Sequence, residues 1–99
     1  MEERNRVELT GTVSAIDALR YTPAGIPIIE FKLAHESTQI EARRNRQVGI
    51  EVMAMAAGDA ANKLAKSPLG VRVRLTGFLA HRGKSRVQLV LHINDFEFI

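Results

Sequence analysis

Two short stretches of this 99-residue chain contain basic side chains and no acidic ones. Their six basic residues are Arg43, Arg44 and Arg46 in the first stretch and Arg82, Lys84 and Arg86 in the second. The net charge is only +3, but outside these stretches eight basic residues stand against eleven acidic ones. Guanidinium and ammonium groups gathered in this way suit the binding of phosphate groups. Each stretch taken alone is more simply interpreted as a solvated loop. Only a fold that brings the two stretches together would favour a binding site over that interpretation.

Other kinds of site find little support in the sequence. The chain has no cysteine, and the spacing of His35, His81 and His92 does not fit a metal site, so we predict no metal. No serine lies in a Gly-x-Ser-x-Gly setting, and no glycine-rich phosphate loop is present. We therefore expect neither an enzyme nor a cofactor.

Length and composition favour one all-β domain that spans residues 1–99. The apolar residues are mostly Val, Ile and Leu, and they alternate with polar residues in runs separated by glycine and proline. No segment is long and apolar enough to cross a bilayer, and the N-terminal residues lack the apolar core of a signal peptide. We expect a cytoplasmic protein that does not associate with membranes.

The alternation predicts five strands and one short helix. The strands fall at about residues 7–15, 26–36, 48–54, 71–79 and 87–93, and the helix at 60–66, with Asp59 as its cap. The turn Thr22-Pro23-Ala24-Gly25 precedes the second strand, and residues 37–45 are interpreted as a loop or an extended hairpin tip. Phe96 and Phe98 change phase, which predicts a bulge near Asn94 and Asp95.

Five strands with a helix between the third and fourth form the order of an OB-fold barrel. Gly11 and Gly77 stand in the middle of strands that must curve to close such a barrel. In this fold the second and third strands and the loop between the fourth and fifth form the ligand-binding face. Both basic stretches are then expected to border one groove, and Lys32 on the second strand is a further candidate to face it.

The sequence also resembles a known family. The run Arg20-Tyr21-Thr22-Pro23-Ala24-Gly25, followed by Phe31-Lys32-Leu33-Ala34, is similar to the bacterial single-stranded-DNA-binding proteins. Further pieces resemble the PriB family, or primosomal replication protein N, whose members are small single-OB relatives of those proteins. These pieces are residues 5–13, Gly25-Ile26-Pro27, His35-Glu36-Ser37, Gly77-Phe78-Leu79 and Val90-Leu91-His92.

The resemblance implies a homodimer that binds single-stranded DNA and works with the PriA helicase and DnaT in the replication restart primosome. It also implies which residues contact DNA, namely Arg20, Arg43, Arg44, Arg82, Lys84 and Arg86. The chain departs from the enteric members, which carry aromatic residues where this sequence has Arg44 and Gly49. Tyr21 is then the obvious remaining candidate for stacking on a base, although arginine planes can also stack.

Two other classes of function stay open on the sequence alone. One is a protein-interaction adaptor whose affinity for DNA is incidental, and the other is an OB module for RNA or another ligand such as an oligosaccharide. A salt titration with single-stranded DNA separates them, because binding through phosphate contacts is strongly salt-dependent.

Overall fold

The computed structural model describes residues 2–99. Within that range it contains five long strands, one two-residue strand and one helix. The elements are β1 (Val7–Ile16), β2 (Arg20–Tyr21), β3 (Pro27–Glu41), β4 (Arg44–Ala57), α1 (Asp59–Ala65), β5 (Arg72–Arg82) and β6 (Ser85–Phe98). The short β2 was not predicted, so the predicted strands two to five correspond to β3, β4, β5 and β6.

The sheet closes into a barrel because β1 pairs with two different strands. Its first half pairs antiparallel with β5, from Val7 opposite Gly77 to Thr12 opposite Arg72. Its second half pairs antiparallel with β3, from Thr12 opposite Ala34 to Ile16 opposite Phe31. The strand order is β1-β5-β6-β4-β3-β2, and β4 and β6 run parallel where they meet. The predicted five-stranded OB-fold barrel with one short helix is confirmed.

Two glycines allow neighbouring backbones to approach closely where the barrel bends. A Cβ atom at Gly11 would overlap the carbonyl oxygen of Ala34, and one at Gly77 would overlap the carbonyl oxygen of His92. The register of β5 against β6 shifts beside Gly77. Thr76 faces Asp95, but the next residue, Gly77, faces Ile93. Asn94 is therefore the extra residue on β6. The bulge predicted near Asn94 and Asp95 is therefore confirmed.

The inward residues of the strands form the core, and α1 packs against it. The largest fully buried side chains are Val13, Ile29, Phe31, Leu33, Leu64, Val73, Leu75 and Leu91. Helix α1 contributes Ala61 and Leu64 to this cluster. The prediction that Asp59 caps the helix was wrong: Gly58 is the N-cap residue, with a φ of 70°, and Asp59 is the first helical residue. No helix within residues 2–99 is long and apolar enough to span a membrane.

The segment predicted as a loop or hairpin tip is a long hairpin whose strands continue almost to the end. β3 runs to Glu41 and β4 begins at Arg44, so only Ala42 and Arg43 form the turn. Both have positive φ, 50° and 65°, as the central residues of a type I′ turn do. The hairpin helps to give the molecule its elongated dimensions of 49 × 37 × 23 Å.

Candidate nucleic-acid interface

One row of outward side chains crosses four neighbouring strands of the barrel. On β3, Glu30 lies between the buried residues Ile29 and Phe31 and so belongs to the outer face. Strand pairing places Glu30 opposite Met55 of β4, Met55 opposite His92 of β6, and His92 opposite Phe78 of β5. We call Glu30, Met55, His92 and Phe78 the outer row.

Two arginines from distant parts of the chain meet at one end of the outer row. Arg20 Nη1 lies 3.5 Å from Glu30 Oε2, and Arg82 Nη1 lies 3.6 Å from Glu30 Oε1. The Glu30 side chain keeps only 12% of its surface exposed, whereas Arg20 and Arg82 are about half exposed. Two guanidinium groups thus share one carboxylate, which leaves one positive charge in excess at the surface.

The turn before β3 puts Arg20 in this place. Gly25 adopts a φ of 84°, and its backbone N–H donates to the carbonyl oxygen of Thr22 over 2.8 Å. The Thr22 hydroxyl accepts a second hydrogen bond from the N–H of Ile26. This turn folds β2 back on β3, with Arg20 opposite Ile28, and the turn predicted at Thr22 to Gly25 is confirmed. Tyr21, the stacking candidate from the sequence, lies on the same short strand and is exposed.

An aromatic pair that was not predicted from the sequence occupies the other end of the outer row. The rings of Phe78 and His92 are stacked, with centroids 5.2 Å apart and an angle of 9° between their planes. Phe78 keeps 37% of its surface exposed. The alternation in the sequence already placed Phe78 on the outward side of its strand, but only the register of β5 against β6 shows that His92 is its partner.

The arginines of the first basic stretch lie far from the Arg20 and Arg82 pair. Glu41, beside the turn, is eleven residues beyond Glu30 on the same strand, which corresponds to about 36 Å. Arg43 forms the turn itself, and Arg44 and Arg46 begin β4. Arg46 also pairs with Glu41 over 3.0 Å. The structure therefore brings Arg20 and Arg82 together and places Arg43, Arg44 and Arg46 at the far tip of the hairpin.

The remaining predicted residues lie between or beside these places. Lys32 is exposed on β3, two residues beyond Glu30, and pairs in register with Met53. Lys84 lies in the turn that joins β5 and β6, next to Gly83 with its φ of 56°, and Arg86 follows at the start of β6. Lys84 and Arg86 line a shallow groove together with Leu79 and Leu89. Across residues 2–99, no group of three or more His, Asp or Glu side chains is arranged to hold a metal ion.

Comparison with known proteins identifies the family. A family model described as another single-strand binding protein family matches residues 5–95. The Replication restart protein PriB of Nitrosomonas europaea is 42% identical over 97% of this chain and 89% of its own length. That of Bordetella pertussis is 43% identical over 92% of this chain and 85% of its own length. The chain belongs to the PriB family.

Solved structures agree with this assignment. The structure of PriB from Ralstonia solanacearum is 34% identical and superposes with a TM-score of 0.87, covering 97% of this chain and 98% of that one. The wild-type single-stranded DNA binding protein from Thermus aquaticus has a TM-score of 0.77 over 97% of this chain and 50% of its own, at 22% identity. That second likeness is one of fold. The resemblance to the PriB family noted in the sequence is thus confirmed over almost the whole chain.

Proposed function

We propose that this PriB-family protein binds single-stranded DNA in the cytoplasm during replication restart, as a binding protein without a catalytic step. The observation that carries the proposal is that Arg20 and Arg82 lie together beside the apolar and aromatic side chains of the outer row. This face of the barrel is the one that OB folds use to bind oligonucleotides. Single-stranded nucleic acid is bound by surfaces that combine cationic groups for the backbone with flat apolar groups for the bases.

The DNA path we propose runs along the outward side of β3 and β4. It begins at Arg20 and Arg82, passes Lys32, and reaches the arginines of the hairpin tip. Lys84 and Arg86 extend the basic surface on the other side of Arg82. A path of this length, about 36 Å along the strand, engages several nucleotides at once, which fits the site sizes of roughly 4–16 nucleotides seen per OB fold.

We propose a homodimer as the working form. Between Val7 and Gly11, β1 pairs with β5 on one side, but its pairing with β3 begins only at Thr12. Apart from the Thr10 carbonyl oxygen, which lies 2.7 Å from His35 Nδ1, this edge takes part in no strand pairing within residues 2–99. Such an edge is suited to pair with a second copy around a two-fold axis. Light scattering at micromolar concentrations should give about twice the chain mass of 11.0 kDa. A mass of one chain at every concentration would contradict the proposal.

We also propose that the protein bridges the PriA helicase and DnaT in the restart primosome. Support for these partners comes from membership of the PriB family, whose members in Nitrosomonas europaea and Bordetella pertussis are named for replication restart. The proposal is checked by mixing the dimer with each purified partner in size-exclusion chromatography, with and without single-stranded DNA. Failure to co-elute with either partner under both conditions would exclude a bridging role.

The DNA-binding function is tested by the fluorescence anisotropy of labelled oligonucleotides of equal length. We expect binding to single-stranded DNA to be stronger than binding to duplex DNA. The logarithm of the binding constant should fall with the logarithm of the salt concentration with a slope of about −2 to −3, which corresponds to three or four neutralised phosphates. Stronger binding to RNA than to DNA, or no salt dependence, would contradict the proposal and favour another ligand.

A further inference from the structure

We infer that Phe78 and His92 form a stacking platform for one nucleobase of the bound strand. The inference rests on the proposed function, because it names the part of that site that recognises a base rather than a phosphate. It also assigns a role to an aromatic pair outside the two basic stretches and the turn that carries Tyr21.

The pair is already fixed in the geometry that a platform needs. Phe78 and His92 lie directly opposite each other on β5 and β6, and their rings are parallel to within 9° at a centroid distance of 5.2 Å. Each ring limits the rotation of the other, so little side-chain freedom remains to be lost when a base arrives. Phe78 nevertheless keeps 37% of its surface exposed, which leaves ring atoms available to a ligand.

The surroundings of the pair fit a nucleotide with its phosphate at one end. His92 lines a shallow groove with Arg20, Glu30, Met55, Arg82 and Val90. Arg20 and Arg82 lie beside Glu30 in this groove, and Met55 and His92 follow Glu30 along the outer row. Phe78 extends the row beyond the groove, because its ring stacks on that of His92. A phosphate beside Arg20 or Arg82 places the attached base over apolar side chains and rings, and every base has a π-face that can use them.

A second aromatic pair in the chain provides a matched control. Phe96 and Phe98 lie 5.3 Å apart between centroids, but their planes are at 88°, so the rings meet edge to face. They pair in register with the buried residues Leu75 and Val73, so they belong to the face of the sheet that carries the core. Phe98 is exposed to a degree similar to Phe78, at 50%, but it lies away from the outer row.

The experiment compares Phe78→Leu with Phe98→Leu on two ligands of equal length and charge. One ligand is an oligothymidylate, and the other has the same backbone with abasic sites. The wild-type protein should bind the oligothymidylate more tightly than the abasic strand. Phe78→Leu should weaken binding to oligothymidylate about fivefold to 100-fold and leave binding to the abasic strand unchanged, whereas Phe98→Leu should change neither.

A fluorescent variant makes the test independent of any loss of stability in Phe78→Leu. The chain has no tryptophan, so Phe78→Trp introduces a single indole at the platform. Its fluorescence should be quenched by oligothymidylate and not by the abasic strand, and Phe98→Trp should respond to neither. Either of two results would overturn the stacking platform and leave the proposed DNA binding intact. One is equal wild-type affinity for both ligands, and the other is unquenched indole fluorescence in a saturated complex of Phe78→Trp. Absence of wild-type binding to both ligands would overturn the proposed function itself.

Discussion

Arg82 Nη1 lies 3.6 Å from Glu30 Oε1, and this contact joins the β5–β6 hairpin to β3 near the start of that strand. Arg20 approaches the other oxygen of the same carboxylate. Glu30 therefore places a fixed negative charge between Arg20 and Arg82, the two cations that we propose to bind DNA phosphates. A phosphate that binds there has to compete with this carboxylate for the same guanidinium groups.

Removal of the Glu30 charge should strengthen DNA binding. In Glu30→Gln the neutral amide no longer neutralises Arg20 and Arg82, so both become available to phosphates. We expect severalfold tighter binding to single-stranded DNA at low salt. The salt slope should become steeper by about 0.7 if one further phosphate is neutralised. Anisotropy titrations at several salt concentrations measure both quantities.

The control for this variant is Glu97→Gln. It changes the net charge by the same amount and also releases an arginine, because Glu97 pairs with Arg74. That pair joins β6 to β5 and lies outside the proposed path along β3 and β4. A gain in affinity as large in Glu97→Gln as in Glu30→Gln would mean that overall charge, and not the shared carboxylate, controls the affinity.

The backbone at Gly25 should be needed for both stability and binding. Gly25→Val puts a β-branched residue at a φ of 84°, where a side chain costs about 1–2 kcal/mol, although an added Cβ meets no atom within 4 Å. We expect a lower melting temperature, by roughly 4–8 °C for each kcal/mol in a domain of this size. DNA binding should weaken too, since the turn positions Arg20.

Gly49→Val is the matched control for the turn variant. An added Cβ at Gly49 also meets nothing within 4 Å, and its φ lies outside the left-handed range. Valine suits a strand better than glycine does, so the melting temperature should stay the same or rise. An equal loss of stability in both variants would show that the positive φ is not the cause.

The barrel could be predicted because its main signals are local. Alternation of apolar and polar residues marked every long strand, and Gly11 and Gly77 marked the points where an added side chain would overlap a neighbouring backbone. The hairpin between β3 and β4 was harder to predict, since the polar run from Ser37 to Asn45 has no buried face. Its turn at Ala42 and Arg43 also lacks the glycine or asparagine that normally marks positive φ.

The candidate site could be predicted only in part, for a related reason. Arg82 was named from its basic stretch and Arg20 through the family resemblance, but their common partner Glu30 was not named. The pairing of Phe78 with His92 depends on the register shift between His81 and Arg82, which offsets β6 against β5 just beyond the hairpin turn. Such relationships between strands are set by the tertiary fold, and no spacing along a single strand contains them.

The arginine at the hairpin turn should show opposite effects on stability and on binding. Arg43 has a φ of 65°, which is unfavourable for a residue with a Cβ and favourable for glycine at this position of a type I′ turn. In Arg43→Gly we expect a gain in unfolding free energy of up to about 1 kcal/mol. Binding to single-stranded DNA should weaken, with a salt slope that is less steep by about 0.7. Chemical denaturation and anisotropy give the two results separately.

Arg43→Lys is the control, because it keeps both the positive charge and the Cβ. Neither stability nor the salt slope should change much in this variant. Unchanged binding in Arg43→Gly would remove the hairpin turn from the proposed DNA path.

The basic groups of the β5–β6 hairpin should account for a large part of the salt dependence. Simultaneous replacement of Arg82, Lys84 and Arg86 by alanine removes three cations, which should flatten the salt slope by about 2 and weaken binding to all sequences alike. The control replaces Lys63 and Lys66, in and just after α1, where the helix packs on the core away from the outer row. That double variant should bind almost as the wild type does, because its charges do not lie on the proposed path. A larger effect from the two lysines than from the hairpin triple would place the DNA on the other side of the barrel.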